Sequence, residues 1–65
     1  MNIFLNGQTL ATQAATLAVL LDEQGIDRSS VACAINGDFV ARTQYQQAQL
    51  SEGCKVEVLS PMQGG

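Results

Sequence analysis

Histidine is absent from the 65 residues. With it go the commonest general base, the commonest metal ligand and every Ser-His or Cys-His nucleophile pair. Cysteine is scarce: Cys33 and Cys54 are the only two, too few for a zinc site without histidines. In a reducing compartment they are not expected to form a disulfide. Cations are scarcer than acids, with Arg28, Arg42 and Lys55 against six Asp and Glu, for a net charge of −3. Binding to phosphate backbones needs clustered Lys and Arg, and these three are scattered, so neither nucleic acid nor an anionic membrane is an expected partner. No apolar run approaches the length of a membrane span. The start lacks the basic-then-apolar pattern of a signal peptide, and a cytoplasmic protein is expected. Nor do the acids pair for catalysis. Asp22 and Glu23 are adjacent on a helix, point in different directions and read as a solvated helix end. Nothing here suggests an enzyme.

What remains is a pattern of short elements. A chain of this length forms one domain at most and buries only about 60% of its unfolded surface. Met1, Ile3 and Leu5 alternate with Asn2 and Phe4, a strand with one buried face. Asn6-Gly7 suits a type I′ hairpin turn, and Gln8 to Ala11 returns as the second strand. Thr12 to Ala15 is a connector. Thr16 is a suitable helix N-cap. Leu17, Leu20 and Leu21 form one apolar stripe, and Gln24-Gly25-Ile26 reads as a Schellman end, with Gly25 left-handed and Ile26 touching Leu21. A helix of about nine residues is too short to stand alone and must lie on a sheet.

Asp27 to Ser30 is a polar loop, and Val31 to Ile35 an apolar strand with Cys33 as a small buried hydrophobe. Asn36-Gly37 is a second turn signal, followed by a short strand over Phe39 to Ala41. Arg42 to Ala48 reads as a helical turn or loop, with Tyr45 closing one end of the core and Leu50 reaching back to it. Ser51-Glu52-Gly53 is a turn that leaves Cys54 exposed and open to thiol chemistry. Lys55 to Leu59 alternates as the last strand, and Pro61 stops it. One helix then covers one face of a four- to five-stranded sheet. Val56 and Val58 join Ile3, Leu5, Leu10, Val31, Cys33, Ile35 and the helix leucines in a single core. Phe4 and Leu59 emerge on the uncovered face as a candidate docking patch.

The chain closes on Pro61-Met62-Gln63-Gly64-Gly65. By itself such an end also fits a frayed terminus or leftover cloning residues. The whole set is more specific: the Asn6-Gly7 hairpin, the Thr16–Gln24 helix, Ala34-Ile35-Asn36-Gly37, Arg42 followed by Tyr45, the Glu52-Gly53 turn, the last apolar strand and terminal Gly64-Gly65. Together these features resemble the ThiS family, the small sulfur carriers of thiamine biosynthesis, over the full length of the chain. Cys54, where that family often carries a polar or acidic residue, and Pro61 near the tail depart from the pattern.

The resemblance implies an α+β, ubiquitin-like β-grasp domain over residues 1–60, with a mixed sheet, the first and last strands parallel and central, and a flexible tail over 61–65. It implies a carrier rather than a catalyst, with no bound cofactor. The resemblance further implies that a ThiF-type, E1-like partner using ATP adenylates the Gly65 carboxylate, that a sulfur-donating protein converts the adenylate to a thiocarboxylate, and that a ThiG-type thiazole synthase receives the sulfur. By the same resemblance Met62, Gln63 and Gly64 are expected to accompany Gly65 into the partner's site; five residues reach about 16 Å. Only glycine at 64 and 65 admits close approach from both sides of the backbone. The chain alone is expected to be a monomer. Three other readings stand beside this one. A carrier for another pathway, like the small subunit of molybdopterin synthase, usually runs longer around the helix. A ubiquitin-like modifier building chains would need more acceptor amines than Lys55 and the N-terminus. A plain interaction domain would carry an inert tail.

Overall fold

A computed structural model describes residues 1–60. Met62, Gln63, Gly64 and Gly65, expected in the tail, lie outside the described residues. Strands β1 (Asn2–Leu5) and β2 (Gln8–Ala11) form the first hairpin, with Ile3 opposite Leu10 and Leu5 opposite Gln8. Asn6 and Gly7 both take positive φ, 51° and 84°, as a type I′ turn requires. The second Asn-Gly pair repeats this geometry, with Asn36 at 52° and Gly37 at 85°. It joins β3 (Ala32–Ile35) to β4 (Asp38–Val40).

Helix α1 (Leu17–Glu23) begins at Thr16, whose hydroxyl accepts from the Val19 amide at 3.4 Å. Two amides of its first turn have no partner inside the helix. Leu17 donates to the Ala48 carbonyl at 2.9 Å and Ala18 to that of Tyr45 at 3.0 Å. The irregular segment around the 3-10 turn Arg42–Gln44 is thus bonded to the helix start. Leu50 adds a third tie, donating to Ala15 at 2.9 Å. At the other end Gly25 is left-handed, φ 70°. The Ile26 amide reaches the Leu21 carbonyl at 2.9 Å and the Gly25 amide that of Asp22 at 3.1 Å, the two bonds of a Schellman motif. Glu23 does more than face solvent, because it accepts from the Thr12 hydroxyl. Asp22 meets Arg28 at 4.0 Å in an exposed pair, which contributes little.

The last strand, β5 (Lys55–Leu59), enters the middle of the sheet, giving the order β2-β1-β5-β3-β4. It runs parallel to β1 and antiparallel to β3, the mixed β-grasp arrangement with the first and last strands central. The helix covers one face. Ile3, Leu17, Leu20, Leu21, Tyr45 and Val56 are fully buried there. Leu5, Leu10, Ile35 and Val58 pack at the margin. Tyr45 closes its end of the core by donating its hydroxyl to the Val31 carbonyl at 3.3 Å. Among the described residues, no buried side-chain nitrogen or oxygen lacks a hydrogen-bond partner.

One expectation is corrected. Cys54 is not an exposed thiol but is buried, at 3% exposure. Gly53, φ 78°, turns the chain; the Cys54 amide donates to Ser51 at 3.0 Å and its carbonyl accepts from Phe4 at 2.9 Å. Cys54 therefore already stands in line with β5, and the two-residue alternation that buries Val56 buries it too.

Candidate functional site

Alternation assigns the outer face of the sheet as strictly as the inner one. From β5 it displays Lys55, Glu57 and Leu59, from β1 Phe4, from β3 Ala32 and Ala34 and from β4 Phe39. Phe4 is 36% exposed, Leu59 68% and Phe39 73%. Phe4 and Leu59 share this face but not one spot. Phe4 stands in register with Lys55, so Leu59, four residues along β5, lies about 13 Å away at 3.3 Å per residue.

Leu59 has a nearer apolar companion in Phe39. The outward side chains of β3 are alanines, and they sink between the longer residues of β4 and β5. The result is a shallow groove of about 380 Å³, floored by Ala32 and Ala34 and rimmed by Phe39, Leu59, Glu57 and Asn6. Phe39 was not singled out from sequence. The signal was present: a two-residue Asn36-Gly37 loop sets Phe39 opposite Ala34, hence opposite in facing to buried Cys33. The groove sits at the end of β5 that leads, through Ser60, to residues 61–65. Gly65, Gly64, Gln63 and Met62 themselves lie outside the described residues.

The titratable groups of the core are arranged for packing. Burial raises the Cys33 thiol above its ordinary range. Burial first, then the neighbouring Cys33, pushes Tyr45 up to about 12. Asp27 is held below the usual carboxylate range mainly by hydrogen bonding from the Ser29 side chain, as the cap of the 3-10 turn Arg28–Ser30. Among the described residues no three His, Cys, Asp or Glu side chains converge as a metal site, and no helix is long and apolar enough to cross a membrane.

Known proteins match this chain along its length. It is similar to the sulfur carrier protein ThiS of Thermus thermophilus, 32% identical over 63 residues that cover 97% of this chain and 98% of that one. It is also 32% identical over 66 residues to a thiazole synthase of Paramagnetospirillum magneticum, a match spanning all of this chain but 20% of that longer protein. A crystal structure of the thiamine biosynthesis protein ThiS from Geobacter metallireducens superimposes with a TM-score of 0.84 at 26% identity, covering 100% of both chains. A solution structure of a thiamine biosynthesis protein from that organism gives 0.79, over 100% of this chain and 88% of the other. The ThiS family model matches residues 3–65, and the chain belongs to the ThiS family of small sulfur carrier proteins.

Proposed function

We propose that this chain delivers sulfur for thiazole formation in thiamine biosynthesis as a thiocarboxylate on Gly65. The observation that carries the reading is the extent of the family match, which runs through Gly64 and Gly65 to residue 65. A second observation supports the recipient. A segment similar to the whole of this chain makes up a fifth of a protein named a thiazole synthase. A carrier domain joined to the enzyme that takes its sulfur is the covalent form of that partnership.

A carboxylate is a poor electrophile, so the terminal group must first be activated. An ATP-using, ThiF-type partner joins the Gly65 carboxylate to the α-phosphate of ATP and releases pyrophosphate. Sulfide-level sulfur released by a donor protein attacks the acyl-adenylate carbon as hydrosulfide. The C–S bond forms as the C–O bond to AMP breaks, the proton passes to solvent, and a thiocarboxylate remains. The ThiG-type synthase then takes that sulfur. Each step occurs in a partner's active site, and this chain contributes its end and its docking surface. The open face is that surface: Phe39 and Leu59 around the groove, with Phe4 further along β1, give a partner apolar contacts beside the exit of β5.

Expression with the adenylating enzyme and a sulfur donor tests the reading by intact mass. The expected species is heavier than the unmodified chain by one oxygen-for-sulfur exchange. Gly65→Trp abolishes adenylation and leaves the circular dichroism of the domain unchanged. Adenylation of that variant at the normal rate would overturn the steric argument for glycine.

A further inference from the structure

The two Asn-Gly turns have a role beyond reversing the chain: each lends its asparagine to β5. On one side, β1 pairs with β5 only through Phe4 opposite Lys55 and Leu5 opposite Val56. The Phe4 amide donates to Cys54 and the Asn6 amide to Val56, both at 2.9 Å. There β1 turns away, and Val58, which has β3 on its other side, would have no strand on this one. The Asn6 side chain takes the strand's place. Its Oδ1 accepts from the Val58 amide at 2.8 Å and its Nδ2 donates to the Val58 carbonyl at 3.3 Å. On the other side, at the start of β5, the Asn36 amide donates to the Lys55 carbonyl at 2.7 Å and Asn36 Oδ1 accepts from the Lys55 amide at 2.9 Å.

The two asparagines thus extend the ladders at opposite ends of one strand, but they use different atoms. Asn36 needs only a side-chain acceptor, which an aspartate also offers. Asn6 needs an acceptor and a donor on adjacent atoms, which its amide offers and an ionised carboxylate does not. Val58 lies two residues before Ser60, the last described position before the chain end. We propose that Asn6 is a positioning residue: its side-chain amide holds the exit of β5 and so sets the direction in which the carrier's chain end leaves the sheet. The functional half of this statement rests on the carrier reading above; the clamp itself does not.

The difference in atoms supplies the test. Asp-Gly and Gly-Gly both accept the type I′ turn, so Asn6→Asp, Asn6→Gly and Asn36→Asp all keep the hairpins. Asn6→Asp sets an oxygen against the Val58 carbonyl, and Asn6→Gly removes the clamp without adding charge. Asn36→Asp retains both bonds to Lys55. Two measurements follow on the full chain. Amide exchange and nitrogen relaxation should show Val58 and Ser60 loosened in both Asn6 variants and unchanged in Asn36→Asp, with the Glu57 amide, on the β3 side, still protected. In ATP–pyrophosphate exchange with the adenylating enzyme, kcat/KM should fall about fivefold for the Asn6 variants, the equivalent of one net hydrogen bond, and stay within about twofold for Asn36→Asp.

Thr16→Ala is the control for stability alone. It removes a helix cap of comparable worth without touching β5 and should leave kcat/KM unchanged. Unaltered exchange at Val58 in Asn6→Gly would overturn the clamp. A loosened Val58 with unaltered kcat/KM, or an equal loss in Thr16→Ala, would overturn the positioning role. If the original chain is not adenylated at all, the carrier reading fails, while Val58 exchange still decides the clamp.

Discussion

The two faces of the sheet are built from alternate residues of the same strands and do different things. The inner face presents Ile3, Cys33 and Val56 to the helix and is buried. The outer face presents Phe4, Phe39, Glu57 and Leu59 to solvent. Substitutions on the first should change whether the domain folds; substitutions on the second should change what it meets. A helix of seven residues is enough for this division, because its free ends are satisfied from elsewhere in the chain. The Tyr45 and Ala48 carbonyls take its first amides and the Schellman bonds close its last turn.

The sharpest way to break the comparison is a cavity beneath the helix. Leu21 is fully buried, and Leu21→Ala should cost about 2–5 kcal/mol, a large share of the stability of so small a domain. Urea unfolding would show the midpoint collapse, and a loss under about 1 kcal/mol would mean that the core repacks far better than cores of this density do.

Alkaline titration probes the same face more gently. Burial raises the folded-state values of Tyr45, to about 12, and Cys33 above their unfolded ones. The neutral forms are therefore the ones the fold favours. Their contribution is complete below the unfolded values, near 9 for the thiol and 10 for the phenol, and is lost as pH rises toward the folded ones. Thermal melts should thus fall in temperature between about pH 9 and pH 12, and Tyr45→Phe should flatten the upper part of that decline. An identical decline in the variant would remove Tyr45 from the account.

Gly25→Ala is a smaller test. No atom lies within 4 Å of an added Cβ, yet φ is 70°, so the cost is backbone strain alone, about 1–2 kcal/mol. A thermal melt would read it. The smallest effect on stability, and the most informative about the outer face, belongs to Leu59→Ser and Phe39→Ser. Both sites are widely exposed, and each change should stay within about 0.5 kcal/mol. KM in partner-dependent adenylation should nevertheless rise for both, more than for Phe4→Ser, which sits away from the groove. Equal KM values across the three would place the docking surface elsewhere.

Local signals carried most of this fold in the sequence. The Asn-Gly pairs located both hairpins, Thr16 and Gly25 bounded the helix, and alternation sorted Phe4 and Leu59 from Val56 and Val58. What escaped was cross-chain. Cys54 reads as a turn residue because Gly53 precedes it, but tertiary pairing with Phe4 recruits it to the β5 ladder. Ala14 is fully buried in what reads as a mere connector; Thr12 shapes that connector by accepting from the Ala14 amide and bonding Glu23. Phe39 escaped because its facing depends on hairpin register rather than on its neighbours in sequence. The asparagine clamps escaped for a related reason: turn chemistry explains Asn6 and Asn36 so fully that no further role for their side chains is visible until β5 lies between them. Gly64 and Gly65 stood out in the sequence as an end with no side chain to explain it.

The central claim is that the chain end is the reagent and the folded domain its handle. The most direct measurement is intact mass of the chain after incubation with ATP, the adenylating enzyme and a sulfur donor, compared with a chain lacking Gly64 and Gly65. The account predicts one oxygen-for-sulfur exchange in the first, located at Gly65 by fragmentation, and none in the second, with both chains folded. Sulfur carried by the shortened chain, or found on Cys33 or Cys54 instead of Gly65, would contradict it.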